Sequence, residues 1–120
     1  MILCDIQKIL DADVLACQDA LDIEVKTIKA SDLMSDVLTL NDSGVLLLTG
    51  LANLQAIRTA EIAELSAIVF VRGKRPDQAV IDLAEQKRIP LLTTRLPMYE
   101  SCGLLFQNGL AGVSRGNKGL

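Results

Sequence analysis

Continuous apolar runs alternate with segments of helical periodicity in the second half of the chain. The runs predict strands buried on both faces, at 45–49, 67–71 and 90–94. Apolar residues then recur every three or four positions, which predicts helices at 54–65, 77–88 and 97–107. Strands that alternate with helices are typical of a parallel sheet with right-handed crossovers. We therefore expect an α/β fold.

The first 44 residues are less regular. They predict a short helix over 3–11, short strands at 14–16 and 25–30, and a helix that Ser31 or Asp32 caps and that runs to 40. The resulting prediction is a single small three-layer-like α/β domain over residues 1–110 with a mainly parallel sheet. The glycine-rich segment 111–120 has little hydrophobicity and is predicted to be a disordered tail.

Composition excludes several function classes. The net charge is -3 and aromatic residues make up 2% of the chain, so neither nucleic acid nor an anionic membrane is an expected partner. The chain has no histidine, which removes the commonest general base and a common zinc ligand. We expect no cofactor, no metal and no catalytic residue.

Cysteine usage and the apolar runs indicate the compartment. The cysteines are three, Cys4, Cys17 and Cys102, and none forms a CxxC pair, so reduced thiols in the cytoplasm fit better than disulfides. No signal peptide is recognisable, and the longest apolar runs are far shorter than a membrane helix requires. Cys102 is expected to act as a small buried hydrophobic residue.

The loops that follow the three predicted strands are basic. Ligands bind beyond the carboxyl ends of parallel strands, and helix N-termini there favour anions. This edge predicts an anion or nucleotide site made of Gly50, Asn53, Arg72, Gly73, Lys74, Arg75, Thr94 and Arg95. The alternative is that these charges are solvated and only keep the edge soluble.

Other candidate sites are weaker. The chain has neither a phosphate-binding P-loop nor a GxGxxG dinucleotide motif. Capping and turn roles explain Asp32, Asp36 and Asp42 better than metal binding does. Tyr99 fits a site residue or a half-buried anchor equally well.

Several short motifs resemble one family. They are LLLTG at 46–50, IRTAEI at 57–62, AIVFVRGKRPD at 67–77, IPLLTT at 89–94 and MYESCG at 98–103. Together they resemble the DRTGG domain, which is similar to the N-terminal domain of HPr kinase/phosphorylase. The residues that match the family pattern are Gly50, Gly73, Pro76, Pro90, Thr93 and Tyr99. The family's Gly-Asp-Arg element is missing, because Leu51 and Ala52 follow Gly50.

The resemblance implies an α/β accessory module that takes part in dimerisation near regulatory nucleotide sites. The kinase chemistry of HPr kinase belongs to a separate P-loop domain without counterpart in these residues, so we expect no enzyme. The first hypothesis is a non-catalytic regulatory homodimer, with another regulatory protein or enzyme as a further partner. Its interface would use spare apolar side chains. These are Leu33, Met34, Val37, Leu38 and Leu40.

The alternative hypothesis is a sensor that binds an adenine nucleotide or a phosphorylated metabolite at the basic edge of the sheet. A small transferase is the least favoured hypothesis, because the residues offer no activated nucleophile or base.

Overall fold

A computed structural model describes residues 1–113 and shows one five-stranded sheet. The strands are β1 (Asp13–Ala16), β2 (Thr27–Ala30), β3 (Val45–Thr49), β4 (Ala67–Phe70) and β5 (Leu91–Thr93). Their order is β1-β5-β4-β3-β2; the last four are mutually parallel and β1 is antiparallel to β5. The predicted α/β fold with a mainly parallel sheet is confirmed.

Helices cover both faces of the sheet. They are α1 (Leu3–Ile9), α2 (Met34–Val37), α3 (Leu54–Ile62), α4 (Gln78–Lys87) and α5 (Met98–Gln107). A 3-10 turn at Gln18–Ala20 follows β1.

The continuous apolar runs form the centre of the molecule. All five residues of β3 and all four of β4 are buried, because helices pack on both sides of these strands. Side chains alternate between the faces: Leu47 and Phe70 pack with α2, α3 and α4, whereas Leu46 and Leu48 pack with α1 and α5.

The two helical layers are unequal. Among residues 1–113, α2, α3 and α4 contribute to the core on one face, and only α1 and α5 contribute on the other. On that second face a groove stays open between α5 and the edge strand β2. In the described part of the chain, no helix covers this position of the second face.

The predicted helix from Ser31 to Leu40 is wrong in length. The chain forms a single turn, α2, and the Ser31 hydroxyl accepts a hydrogen bond from the Leu33 N–H at 3.0 Å instead of capping a helix. Strand β2 also begins later than predicted. Its N-terminal neighbour Val25 donates its N–H to the Met1 carbonyl at 2.7 Å, outside the sheet ladder.

The chain continues beside β2 after α5. The Ile28 N–H donates to the Ala111 carbonyl at 3.1 Å, and the Val113 N–H donates to the Ile28 carbonyl at 2.8 Å. These bonds lie at the start of the segment predicted as a disordered tail, and residues 114–120 lie outside the described residues. Within residues 1–113, none of the helices has the length and apolarity to cross a membrane.

Candidate functional site

The loops after β4 and β5 are bonded to each other at the carboxyl edge of the sheet. The Arg72 N–H donates to the Leu96 carbonyl at 2.9 Å, and the Gly73 N–H donates to the Thr94 carbonyl at 2.7 Å. Arg72 and Gly73 both adopt left-handed backbone, with φ of 61° and 67°. This double turn sends the Arg72 side chain toward β3.

The end of β3 holds a carboxylate of the chain itself. Asp32 Oδ1 accepts the Gly50 N–H at 2.7 Å and the Thr49 hydroxyl at 2.9 Å. The Arg72 guanidinium lies beside them, since a Cβ built on Gly50 would stand 3.1 Å from Arg72 Cζ. A side chain at Gly50 would therefore push the flexible end of Arg72 away from this position.

These contacts also set the protonation of Asp32. The hydrogen bond from Gly50 lowers the pKa of the Asp32 carboxyl below its ordinary value, with smaller contributions from the Thr49 hydroxyl and the Arg72 charge. Partial burial opposes this shift. The carboxylate is thus held in its charged form at the end of β3.

A separate polar pocket of about 270 Å³ lies at the end of β5. Its lining is Asp11, Asp13, Gly73, Arg75, Thr93, Thr94 and Arg95. Arg75 forms an ion pair with Asp13 across the rim, and both side chains are largely exposed. Among residues 1–113, Arg95 forms no ion pair, so its charge faces the pocket and solvent.

Two threonines build the floor of this pocket. The Thr94 hydroxyl donates to the Leu10 carbonyl at 2.8 Å and accepts the Leu96 N–H at 3.3 Å. The Thr93 hydroxyl donates to the Lys74 carbonyl at 2.7 Å. Because both hydroxyls already have partners, they shape the pocket more than they offer free donors.

The predicted anion site is divided in the structure. Gly50 and Arg72 lie together with Asp32 at the end of β3. Four other predicted residues line the pocket at the end of β5; they are Gly73, Arg75, Thr94 and Arg95. Asn53 lies apart from both and caps α3, where its side chain accepts the Ala56 N–H at 3.2 Å. Lys74 is exposed in the loop after β4 and is not part of the pocket lining.

Sequence reasoning missed the acidic residues of this edge. Asp11 and Asp13 enter the pocket because β1 pairs antiparallel with β5, and Asp32 reaches β3 from the β2–α2 connection. Hydrophobic periodicity carries no signal for such contacts. The left-handed conformation of Asp11, with φ of 48°, is a local feature that only the coordinates show.

A different surface lies on α5. Tyr99 is 84% exposed and Phe106 is 72% exposed, and both lie on one side of the helix with Gly103 between them. The opposite side of the helix buries Ser101 and Leu105 against the sheet. Tyr99 is therefore not the half-buried anchor that was one of its two predicted roles.

The exposed side of α5 borders the open groove beside β2. The groove has a volume of about 830 Å³, and its walls include Ile28, Leu105, Leu110 and Val113. We call Tyr99, Gly103, Phe106 and this groove the α5 face. It combines a large cavity with the two exposed aromatic residues of the chain's described part.

The apolar residues of the first segment serve two purposes. Met34 and Val37 are buried and hold α2 to the sheet, so they are not available to a partner. Leu33 is 63% exposed and Leu38 is 46% exposed, and Leu40 is partly buried in the same core. Only part of the predicted interface is therefore at the surface.

Cys102 is partly buried on α5, and burial raises the pKa of its thiol, which is the opposite of an activated nucleophile. Within residues 1–113, no group of three or more candidate side chains is placed to hold a metal ion.

The chain was compared with known proteins. The family model of the DRTGG domain matches residues 5–107. Among solved structures, the chain is similar to the crystal structure of the CBS and DRTGG domains of the regulatory region of Clostridium perfringens pyrophosphatase, complexed with the activator diadenosine tetraphosphate. The TM-score is 0.74 at 16% sequence identity, over 88% of this chain and 46% of that chain. No curated protein matches.

Proposed function

The chain belongs to the DRTGG family, and from this premise we propose that it is a non-catalytic regulatory domain that acts as a homodimer through the α5 face. The observation that carries the proposal is the exposure of Tyr99 and Phe106 beside an apolar groove. Clostridium perfringens pyrophosphatase carries its DRTGG domain in a regulatory region. That setting supports a regulatory role for this domain too.

The unequal layers of the fold favour a helix as the group that fills the groove. Within residues 1–113 no helix covers the sheet face beside β2, and the α5 of a second copy has the apolar side chains to supply one. Among residues 1–113, no atom lies within 4 Å of a Cβ built on Gly103, so no contact of the described chain requires its small size. A glycine on an exposed helix allows another backbone to approach closely.

The contact area supports a stable dimer. In a two-fold interface each residue contributes twice, so Tyr99 and Phe106 supply four aromatic side chains. At about 150–250 Å² for each, and at their observed exposure, they would bury roughly 500–800 Å². A standard interface buries about 1,600 Å², so the aromatic residues alone would provide about a third to a half of it.

Light scattering coupled to size exclusion tests this proposal on the full chain. At about 50 µM protein we expect a dimer, a concentration above the dissociation constant of most specific interfaces of this size. The double variant Tyr99→Ser, Phe106→Ser should be monomeric because it removes the apolar anchors. Ile62→Ser is the matched control, because Ile62 is 69% exposed on α3 at the opposite face.

A wild-type chain that stays monomeric would overturn the homodimer. A dimer that survives the double variant and is lost in Ile62→Ser would move the interface to the other face. A heteromeric partner, such as another regulatory protein or an enzyme, would also leave the purified chain monomeric.

A second candidate function is binding of an adenine nucleotide or a phosphorylated metabolite at the β5 pocket. The observation that favours it is Arg95, whose charge is unpaired among residues 1–113 and lines the pocket with Gly73, Arg75 and Thr94. The pocket also contains Asp11 and Asp13, so its charges nearly balance. A ligand with a single phosphate group suits it better than a polyphosphate.

Calorimetry with AMP, ADP and ATP tests the second candidate. We expect binding of AMP, and we expect Arg95→Ala to weaken it at least tenfold because the variant loses the unpaired cation of the pocket. Arg58→Ala is the matched control, since Arg58 is an exposed arginine on α3 away from the pocket. Equal affinities of the two variants would exclude the pocket as the site.

A further inference from the structure

The end of β3 contains three donors of the kinds that bind oxyanions in proteins. They are the Gly50 N–H, the Thr49 hydroxyl and the Arg72 guanidinium. Backbone N–H groups and guanidinium groups are the usual ligands of phosphate, and bonds to a charged acceptor are the stronger ones. In this chain the N–H and the hydroxyl both donate to the Asp32 carboxylate, and the Arg72 guanidinium lies beside Gly50 without a direct ion pair to Asp32.

Asp32 lies on an exposed turn between β2 and α2. Asp32 is exposed to solvent, and Leu33 beside it is 63% exposed. Beyond them, α2 is one turn long and is anchored mainly by Met34 and Val37. Because the Asp32 side chain is exposed, its carboxylate can rotate away from β3 while Met34 and Val37 keep α2 on the sheet.

We propose that the end of β3 is an oxyanion site in which Asp32 is an internal competitor, and that a phosphate group binds there by displacing the Asp32 carboxylate. Phosphate is a better match for the three donors, because it has about twice the charge of a carboxylate and more acceptor oxygens. Gly50 leaves the space in which Arg72 reaches the bound anion.

Displacement would couple the site to the surface of the domain. The Asp32 carboxylate fixes the connection between β2 and α2, and Leu33 and Leu38 are exposed on that segment. Release of Asp32 would let these apolar residues change their position when phosphate binds. None of Asp32, Thr49, Gly50 and Arg72 lines the groove of the α5 face or the β5 pocket, so variants at these residues test this site separately from the two proposals above.

Phosphate titration of the ¹⁵N-labelled full chain tests the inference by NMR, with inorganic phosphate and AMP as separate probes. In the wild type we expect the amide signals of Thr49, Gly50 and Leu33 to shift together as Asp32 leaves. In Asp32→Ala we expect phosphate to bind at least tenfold more tightly. A site occupied by its competitor for about nine-tenths of the time carries a tenfold penalty in apparent affinity.

Asp36→Asn is the matched control. It removes one negative charge from the same segment and breaks the ion pair of Asp36 with Lys29, but it leaves the β3 contacts intact. Its affinity for phosphate should stay within about threefold of wild type, because remote surface charge is screened. Arg72→Ala added to Asp32→Ala should remove the gain.

The outcomes distinguish displacement of Asp32 from a general effect of surface charge and from phosphate binding in the β5 pocket. Equal affinities of Asp32→Ala and Asp36→Asn would overturn the inference, because charge alone would then explain them. Wild-type shifts confined to Gly73, Thr94 and Arg95 would also overturn it and place phosphate in the β5 pocket. Binding of inorganic phosphate but not AMP would support a site for the free anion, and binding of both a site for phosphate monoesters.

Discussion

The Thr94 hydroxyl ties the end of α1 to the end of β5, and its removal should destabilise the domain measurably. Thr94 is 2% exposed and Leu10, whose carbonyl accepts the hydroxyl at 2.8 Å, is 1% exposed. Thr94→Val keeps the shape of the side chain and deletes both hydrogen bonds of the hydroxyl. The Leu10 carbonyl then stays buried without this donor.

The expected magnitude follows from these contacts. A buried polar group that loses its partner costs about 1–3 kcal/mol, and the added methyl group returns up to about 0.8 kcal/mol. We therefore expect Thr94→Val to lower the free energy of unfolding by about 1–2 kcal/mol. For a domain of this size that corresponds to a decrease in Tm of roughly 4–10 °C.

The neighbouring Thr93 provides the control for the same substitution. Its hydroxyl donates at 2.7 Å to the carbonyl of Lys74, which lies in an exposed loop where water can replace the donor. Thr93→Val should stay within about 0.5 kcal/mol of wild type. Urea denaturation followed by circular dichroism measures both variants. If Thr94→Val is as stable as Thr93→Val, burial of the acceptor carbonyl does not determine the loss of unfolding free energy. That result would refute the expectation that Thr94→Val is the more destabilising substitution.

Three further predictions concern the core, the α5 face and pH. Phe70→Ala should lower the unfolding free energy by about 3–5 kcal/mol, because Phe70 is fully buried. Phe106→Ala should lower that of the monomer by under about 1 kcal/mol, because Phe106 is exposed. Similar losses of the two variants in urea unfolding would contradict the assigned burial. Gly103→Ala should stabilise the monomer by about 0.5–1 kcal/mol through helix propensity, which thermal unfolding at high dilution measures. The same variant should weaken the dimer, which light scattering at high protein concentration measures. The folded state lowers the pKa of Asp32 below the ordinary aspartate pKa of about 3.9. The stability that the carboxylate contributes is therefore fully present above that ordinary pKa and is lost as pH falls through the lower pKa of the folded state. The unfolding free energies of wild type and Asp32→Asn should therefore converge as pH falls below about 5; a difference that stays constant with pH argues against the charged form as the source of stability.

Sequence reasoning identified the central elements of the fold. The apolar runs of β3 and β4 carry their own signal, because a strand covered on both faces must be apolar at every position. The cap of α3 is a local feature of the same kind, since the Asn53 side chain accepts the N–H of the residue three positions later. Such features depend on neighbours in the chain.

The prediction for Asp32 was wrong for a related reason. An aspartate just before an apolar helical segment is typical of a helix cap, and the rule for caps considers only the next few residues. The Gly50 N–H, 18 residues away, offers a stronger partner together with Thr49 and the Arg72 charge. The β2–α2 connection therefore turns toward β3 and the helix is reduced to one turn.

The sequence by itself determined the parallel β3–β4–β5 core, the helices that follow these strands and the membership in the DRTGG family. Tertiary structure decided how the basic edge is divided, because the acidic residues that meet Arg72 and Arg75 come from β1 and from the β2–α2 connection. It also decided that Tyr99 and Phe106 face an open groove, since periodicity reports which helix side is apolar but not whether a sheet leaves room beside it. Local order follows from local sequence, whereas the partners of exposed charges and the gaps in a layer arise only when distant segments pack together.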